Sequence, residues 1–356
     1  MMSIPGDSSD ASALTRVAVI FGGRSSEHDV SCRSAASVFR ALDPTRYEVV
    51  PIRISREGVW LFVDDASSVP PQVEISPMQS IAEALVALKS VDVAFPCLHG
   101  PYGEDGTIQS LLELAGIPYV GSGVLASAAS MDKEFTKRLV ASEGIAVADG
   151  VVLREGESEV SAADRERLGL PVFVKPARSG SSVGVSRVDD WDELDAAVIE
   201  ARKCDGKVLV EAAVVGREID IAVLELPTGE VTTGPALEIN VHGAGFFDFD
   251  AKYFAGTAEF VIPAPLPAEH AELLADTARR VFEILGCAGL LRADFFLTEV
   301  DGEPVAVLNE VNTMPGFTEK SQYPQIWQTA GLSYSALLDR LISTALAGSR
   351  VPALTA

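Results

Sequence analysis

The chain has 356 residues with 51 Asp and Glu against 28 Lys and Arg, a net charge of −23. That balance argues against nucleic acid as a partner, so any anionic ligand must be held by a local set of Lys, Arg, backbone N–H groups or metal. Hydrophobic residues make up 47%, which fits a globular chain of two or three subdomains, and no apolar run approaches the roughly 18 residues of a membrane span.

The first stretch, 1–13, is rich in Ser, Asp and Gly and lacks a basic region followed by an apolar one. It predicts a floppy tail rather than a signal peptide. The four cysteines (Cys32, Cys97, Cys204, Cys287) have no paired spacing, which fits free thiols in a reducing cytoplasm and argues against a zinc site. Residues 17–21 predict a buried parallel-type strand. It runs into Gly22-Gly23-Arg24-Ser25-Ser26-Glu27-His28-Asp29-Val30-Ser31 and an amphipathic helix with Val30, Val38, Phe39 and Leu42 on one side. Strand, Gly-rich turn and helix open an α/β sheet, whose ligands bind beyond the strand C-termini. Ser26-Glu27 is either a helix N-cap or a carboxylate placed to hold an ammonium group.

Further strands are predicted over 47–54 and 58–63 and a helix over 81–89. The strand over 91–96 ends in Cys97-Leu98-His99-Gly100-Pro101-Tyr102-Gly103-Glu104-Asp105-Gly106-Thr107. His99 there is either structural or a site residue. A helix over 108–115 and a strand over 117–120 follow. Gly121-Ser122-Gly123-Val124-Leu125-Ala126 has the outline of a dinucleotide fingerprint. No strand ending in an acid follows about 20 residues on, so it reads as a turn into the helix holding Met131-Asp132-Lys133. The chain has no G-x-x-x-x-G-K-[ST] loop.

A boundary over 143–149 leads to a strand over 151–153 and a polar connection over 155–168. Strand, Gly/Ser loop and strand then follow in Val172-Phe173-Val174-Lys175-Pro176-Ala177-Arg178-Ser179-Gly180-Ser181-Ser182-Val183-Gly184-Val185-Ser186. This predicts a mobile hairpin that lays N–H groups and hydroxyls over phosphates, with Lys175 fixed at its base. A helix over 191–203 precedes strands over 207–214 and 216–224. Their Glu211 and Glu218 suit a ribose or an adenine amine, and equally suit ordinary strand edges. The long loop over 240–257 holds Lys252 and Tyr253, and loops of that length are usually functional. Helices over 268–285 and 334–347 flank the last hairpin.

In that hairpin Leu291, Ala293, Phe295, Leu297, Val305, Val307 and Val311 alternate with Arg292, Asp294, Glu310 and Asn312 around an Asp301-Gly302 turn signal. A two-residue loop would set Asp294 opposite Asn309 and turn Glu310 away. A three-residue loop, Val300-Asp301-Gly302, sets Arg292 opposite Glu310 and turns all four polar residues to one side. The three-residue loop is the expectation. Such oxygens beside an Arg suit a hard cation bound with phosphates; the alternative is a solvated face.

The ordered set of motifs resembles the ATP-grasp superfamily and, within it, the D-alanine–D-alanine ligase family. The matching residues are Gly22-Gly23-x-Ser25-x-Glu27-x-x-Val30-Ser31, His99-Gly100, Gly103-Glu104-Asp105-Gly106, Met131-Asp132-Lys133, Lys175-Pro176-x-x-x-Gly180-Ser181-Ser182-Val183-Gly184, Lys252-Tyr253, Arg292-x-Asp294 and Asn309-Glu310-x-Asn312-x-x-Pro315-Gly316. The resemblance spans about residues 16–345 and implies a mixed α/β and α+β ATP-grasp fold. Its expected parts are a tail over 1–14, an N-terminal open parallel α/β (pre-ATP-grasp) domain over 15–127, a central subdomain with a phosphate flap over 128–216 and a C-terminal subdomain with a metal site over 217–350.

The resemblance also implies an activity: ATP-dependent joining of two D-alanines through an acyl phosphate, for peptidoglycan precursor synthesis. D-Alanine–D-lactate and D-alanine–D-serine ligation are the alternatives; lactate-type relatives lack the Lys252-Tyr253 pair. Glu27 would hold the first substrate's ammonium with His99 nearby, and Ser181 and Tyr253 would close the site. Lys133, Lys175 and Lys252 would hold the phosphates, with Ser182 in the flap over them. Glu211, Glu218 and the Val214 backbone would take adenine and ribose, although the hinge Ala212-Ala213-Val214 lacks the family's frequent aromatic residue. Asp294, Glu310 and Asn312 would bind two Mg²⁺ or Mn²⁺ ions, Arg292 and the Gly316 N–H would stabilise the oxyanion, and Ser321 would meet the second substrate. A cytoplasmic homodimer is implied.

Overall fold

The computed structural model describes residues 14–64, 75–241 and 258–348, arranged on three sheets. In the first, β1 (Thr15–Gly22) pairs in parallel with β2 (Tyr47–Ile54) and β4 (Val93–Pro96), and β3 (Trp60–Phe62) adds an antiparallel edge. Val17, Val19 and Phe21 pack with α1 (His28–Ala41), whereas Ala18 and Ile20 pack with α2 (Pro77–Leu88) and α3 (Thr107–Ala115). Burial on both faces explains why β1 shows no polar alternation. At its end Gly22 has φ +90°, and a Cβ there would lie 2.3 Å from the Ile54 carbonyl oxygen. A glycine is required for the chain to turn into the site.

The helix expected around Met131-Asp132-Lys133 is two helices, α4 (Val124–Met131) and α5 (Lys133–Ser142). Asp132 stands between them at φ −94°, ψ 103°. Its Oδ1 accepts from the N–H groups of Glu134 at 3.1 Å and Phe135 at 3.4 Å. This N-cap starts α5 afresh and makes Lys133 its first residue.

The second sheet is antiparallel in the order β5-β8-β6-β7, formed by β5 (Gly150–Leu153), β6 (Val172–Pro176), β7 (Ser186–Val188) and β8 (Val208–Ala212). The stretch over 155–168, expected as a connection, contains α6 (Ala162–Leu168), capped by Ser161 Oγ. α7 (Leu194–Arg202) lays Leu194, Ala197, Val198 and Ala201 on the core of this sheet.

The third sheet is antiparallel in the order β12-β11-β9-β13-β14, with β10 on β9. Its strands are β9 (Arg217–Glu225), β10 (Val231–Thr233), β11 (Leu237–Val241), β12 (Ala258–Val261), β13 (Leu290–Val300) and β14 (Glu303–Asn312). α8 (Ala268–Ile284) covers its apolar face through Leu274, Ala278 and Val281. α9 (Gln322–Thr329) and α10 (Tyr334–Ala347) carry Tyr323, Leu337 and Leu341 into the core shared with β1 and α1. α9 lies in a stretch for which the sequence predicted no helix.

The β13–β14 turn corrects one expectation. Val300 pairs with Glu303, so the loop has two residues, not three. Asp301 and Gly302 have φ of 53° and 85°, the positive pair a tight primed hairpin turn requires. The parity is restored elsewhere. Phe295 pairs with Leu308 but Asp294 pairs with Glu310, leaving Asn309 as a β-bulge. The core face of β14 therefore runs through Ala306 and Leu308, then changes phase to Val311. Val305 and Val307 are not on it.

Candidate active site

The polar face of the third sheet forms a floor. Across β9 and β13, Glu218 pairs with Phe296, Asp220 with Asp294, and Ala222 with Arg292. Across β13 and β14, Asp294 pairs with Glu310 and Arg292 with Asn312. Glu218, Asp220, Arg292, Asp294, Glu310 and Asn312 thus share one side. Arg292 grips Asp294 with two bonds of 2.7 Å, from Nε to Oδ1 and from a terminal nitrogen to Oδ2. Its Nε also lies 3.3 Å from Asp220 Oδ2, and its other terminal nitrogen donates to Gln322 Oε1 at 2.9 Å. Burial pulls the Arg292 guanidinium down, but Asp294 and Asp220 outweigh it and raise it above its ordinary range.

Two lysines stand over this floor. Lys133 Nζ donates to the Ser179 carbonyl oxygen at 2.8 Å and lies 3.3 Å from Glu310 Oε2. Lys175 Nζ lies 2.6 Å from Glu211 Oε2, with Asn309 Oδ1 at 3.4 Å. The other Glu211 oxygen pairs with Lys137. Burial pushes the Glu211 carboxyl up, but Lys137 and Lys175 bring it down to about 2. Burial lowers Lys137 to about 8 against the pull of Glu211. Glu211 is therefore first of all a lysine anchor, and an adenine amine would draw on the acceptor capacity left over.

A cavity of about 770 Å³ lies between the second and third sheets. Lys133, Lys175, Ser182, Glu211, Val214, Glu218, Arg292, Asp294 and Glu310 line it. A second cavity of about 320 Å³ adjoins it at Arg292 and Glu310, and is walled by Glu27, His99, Ser181, Asn312, Gly316 and Ser321. Glu27 precedes α1 without capping it. Instead its Oε1 accepts from Ser181 Oγ at 2.5 Å, which decides against the N-cap reading. Ser181 and Ser182 have φ of 52° and 57°, uncommon for residues with a Cβ and frequent at functional loops. His99 is buried, with Ser34 Oγ at 3.0 Å from Nε2 and the Met314 carbonyl oxygen at 3.0 Å from Nδ1. Both ring nitrogens are taken, and burial lowers its basicity. Ser321 sits at the start of α9 beside Gly316.

Lys252 and Tyr253 lie outside the described residues. The Gly121 to Ala126 stretch is a turn into α4 that lines neither cavity. Sequence reasoning missed Lys137, Asp220 and Gln322, and gave Glu104 and Asn309, quoted among the matching motif residues, no role of their own. For Asp220 a signal existed, since Glu218-x-Asp220 repeats the spacing of Arg292-x-Asp294.

No group of three His, Cys, Asp or Glu side chains able to hold a metal occurs among the described residues. The floor offers two carboxylates and a carboxamide. Asn312 Nδ2 faces Asp294 Oδ2 at 3.1 Å, and the opposite amide orientation turns its oxygen to the same point. Such hard oxygen donors, few in number, fit Mg²⁺ or Mn²⁺ that takes its remaining ligands from phosphates and water.

A small antiparallel sheet facing a larger one across a cavity, with lysines on one side and an Arg–carboxylate floor on the other, defines an ATP-grasp ligase fold. The family profiles described as D-ala D-ala ligase N-terminus and D-ala D-ala ligase C-terminus match residues 16–122 and 139–343. The chain belongs to the D-alanine–D-alanine ligase family. It is 52% identical to the D-alanine–D-alanine ligase of Mycolicibacterium paratuberculosis, over 95% of this chain and 98% of that one. It is 51% identical to that of Nocardia farcinica, over 93% and 97%. Among solved structures it resembles the VanG D-Ala:D-Ser ligase of Enterococcus faecalis, with a TM-score of 0.78 and 36% identity over 94% of this chain and all of that one. It also resembles the Bacillus anthracis D-alanine–D-alanine ligase complexed with ATP, with a TM-score of 0.74 and 32% identity over 93% and 97%.

Proposed function

We propose that this chain uses ATP to join two D-alanines into D-alanyl-D-alanine, releasing ADP and phosphate, as a step of peptidoglycan precursor synthesis. The observation that carries the reading is the cross-strand alignment of Arg292, Asp294, Glu310 and Asn312 between a lysine-lined cavity and the cavity of Glu27. One D-alanine carboxylate accepts the γ-phosphoryl group, forming an acyl phosphate. The amine of the second D-alanine attacks its carbonyl carbon, and phosphate leaves. Both steps call for charge neutralisation rather than a protein nucleophile.

Lys133 and Lys175 hold the α- and β-phosphates, and Glu211 fixes Lys175 in place. Val214 and Glu218 receive the adenine edge and the ribose. Glu27 holds the first ammonium, and Ser181 and Ser182 bring the flap over the phosphates. Arg292 and the Gly316 N–H take the charge of the tetrahedral oxyanion. Ser321, at a helix N-terminus, receives the second carboxylate. Lys252 and Tyr253 complete the γ-phosphate and closing contacts. Asp294, Glu310 and Asn312 would hold two Mg²⁺ or Mn²⁺ ions, which neutralise phosphate charge when bound.

The division into 15–127, 128–216 and 217–350 is supported by one sheet in each segment. No helix among the described residues is long and apolar enough to cross a membrane, and we assign the chain to the cytoplasm as a homodimer. Supplying ATP, Mg²⁺ and D-alanine with equimolar D-serine and D-lactate, and weighing the products, tests the reading. D-Alanyl-D-alanine should dominate at neutral pH. A dominant D-alanyl-D-lactate or D-alanyl-D-serine product would transfer the chain to the alternative specificity.

A further inference from the structure

The segment from Met314 to Phe317 leaves β14 and carries the Gly316 N–H. Its backbone groups are met by side chains from α1 and from the loop after β4. The Met314 N–H donates to Glu104 Oε1 at 3.1 Å, and His99 Nδ1 lies 3.0 Å from the Met314 carbonyl oxygen. The Phe317 N–H donates to Ser34 Oγ at 3.2 Å. A carbonyl oxygen can only accept, so His99 carries its proton on Nδ1 and takes the Ser34 hydroxyl proton on Nε2.

Glu104 spans the two parts of the molecule. Its Oε2 accepts from the Gly100 N–H at 2.7 Å while Oε1 holds Met314. Its own N–H closes the turn onto the Gly100 carbonyl oxygen at 2.9 Å. Gly103 keeps that turn tight, since a Cβ there would lie 2.6 Å from Leu98 Cβ. The carboxyl is thus aimed by a tight loop, both its oxygens accept from backbone, and it also lines the smaller cavity.

We propose that Glu104 is a positioning residue for the second half-reaction: it staples segment 314–316, and with it the Gly316 N–H, to the N-terminal sheet. The proposal rests on the ligase reading above, in which that N–H meets the oxyanion.

Two variants separate a staple from a simple charge. Glu104→Gln keeps the length but replaces one acceptor with a donor, leaving one N–H unpaired. Glu104→Asp keeps both acceptors but is too short to reach both N–H groups. Both should lower kcat for D-alanyl-D-alanine at least tenfold, the scale of an unpaired buried group, with KM for ATP within twofold of the parent. D-Alanine-dependent scrambling of the ATP βγ-bridge oxygen, which reports acyl phosphate formation, should stay within threefold. Unchanged kcat in either variant, or scrambling that falls in step with kcat, overturns the proposal. If a variant fails to fold, hydrogen exchange of the unsubstituted protein decides: the Met314 amide should exchange as slowly as β14, and fast exchange overturns the staple. If the unsubstituted protein makes no dipeptide, the ligase reading fails, while the amide exchange still reports on the staple.

Discussion

The two walls of the larger cavity are built in opposite ways. The floor is two paired strands in which Arg292, Asp294, Glu310 and Asn312 are cross-strand neighbours, and Arg292 and Asp294 hold each other with two bonds. The flap facing it, 177–185, is a loop whose Ser181 and Ser182 sit at positive φ. It reaches the rest of the site through Ser181 to Glu27 and through Lys133 to the Ser179 carbonyl oxygen. At its base the Arg178–Asp205 pair ties it to the connection between α7 and β8. In the proposed reaction, the groups that keep their spacing through two steps sit on paired strands, and the groups that would admit and release substrates sit on a loop between two strands.

The largest expected effect breaks the floor. Glu310→Gln or Asp294→Asn should lower turnover by about 10³-fold, the scale for removing a preorganised electrostatic group, with thermal melting showing a folded protein. Retained turnover would mean that the floor is only a polar surface. Next, Glu211→Gln leaves Lys137 and Lys175 buried without their shared counter-charge. Denaturant unfolding should register a loss of about 3–5 kcal/mol.

The same group has a pH signature. Glu211 is lowered in the folded protein from 4.5 to about 2, so its stabilisation is present above 4.5 and is lost as the pH falls through about 2. Stability should decline over that window, and the decline should be shallower in Glu211→Gln. A smaller effect falls on the flap. Ser181→Ala removes the hydrogen bond to Glu27, and kcat should drop about 10- to 100-fold, the range for a hydrogen bond to a charged group, with little change in unfolding. The smallest lies far from the chemistry. Gly302→Ala places a Cβ at φ +85° in open space, which should cost about 1 kcal/mol of stability and leave turnover unchanged.

Much of the floor was legible from period-two alternation, but the route to it was not. The three-residue loop was wrong. The bulge at Asn309 does the same work, and the mark of it was Leu308, a fully buried apolar residue out of phase with Val311. A bulge without glycine leaves no stronger trace. Lys175 and Arg292 were found because they stand at a strand end or within an alternating strand, and Glu27 because it stands at a helix start after a Gly-rich turn. Lys137 was missed and Glu104 was quoted without a role, because their partners Glu211 and Met314 lie 74 and 210 residues away in the chain. Only the fold brings such pairs together. α9 was missed because its Pro324 and aromatic residues obscure helical periodicity, although Ser321 before it is an ordinary helix-start residue. The break at Asp132 was legible in principle, since Asp before a polar helical turn is a cap signal.

In the proposed reaction the β13–β14 face is the catalytic floor of a D-alanine ligase. The direct measurement is phosphate release against D-alanine in the presence of ATP and Mg²⁺, with the product weighed, for the unsubstituted chain and Glu310→Gln side by side. One phosphate per D-alanyl-D-alanine from the first, and none above background from a folded second, is the predicted result. Phosphate release that ignores D-alanine, or equal turnover by the two proteins, would contradict it.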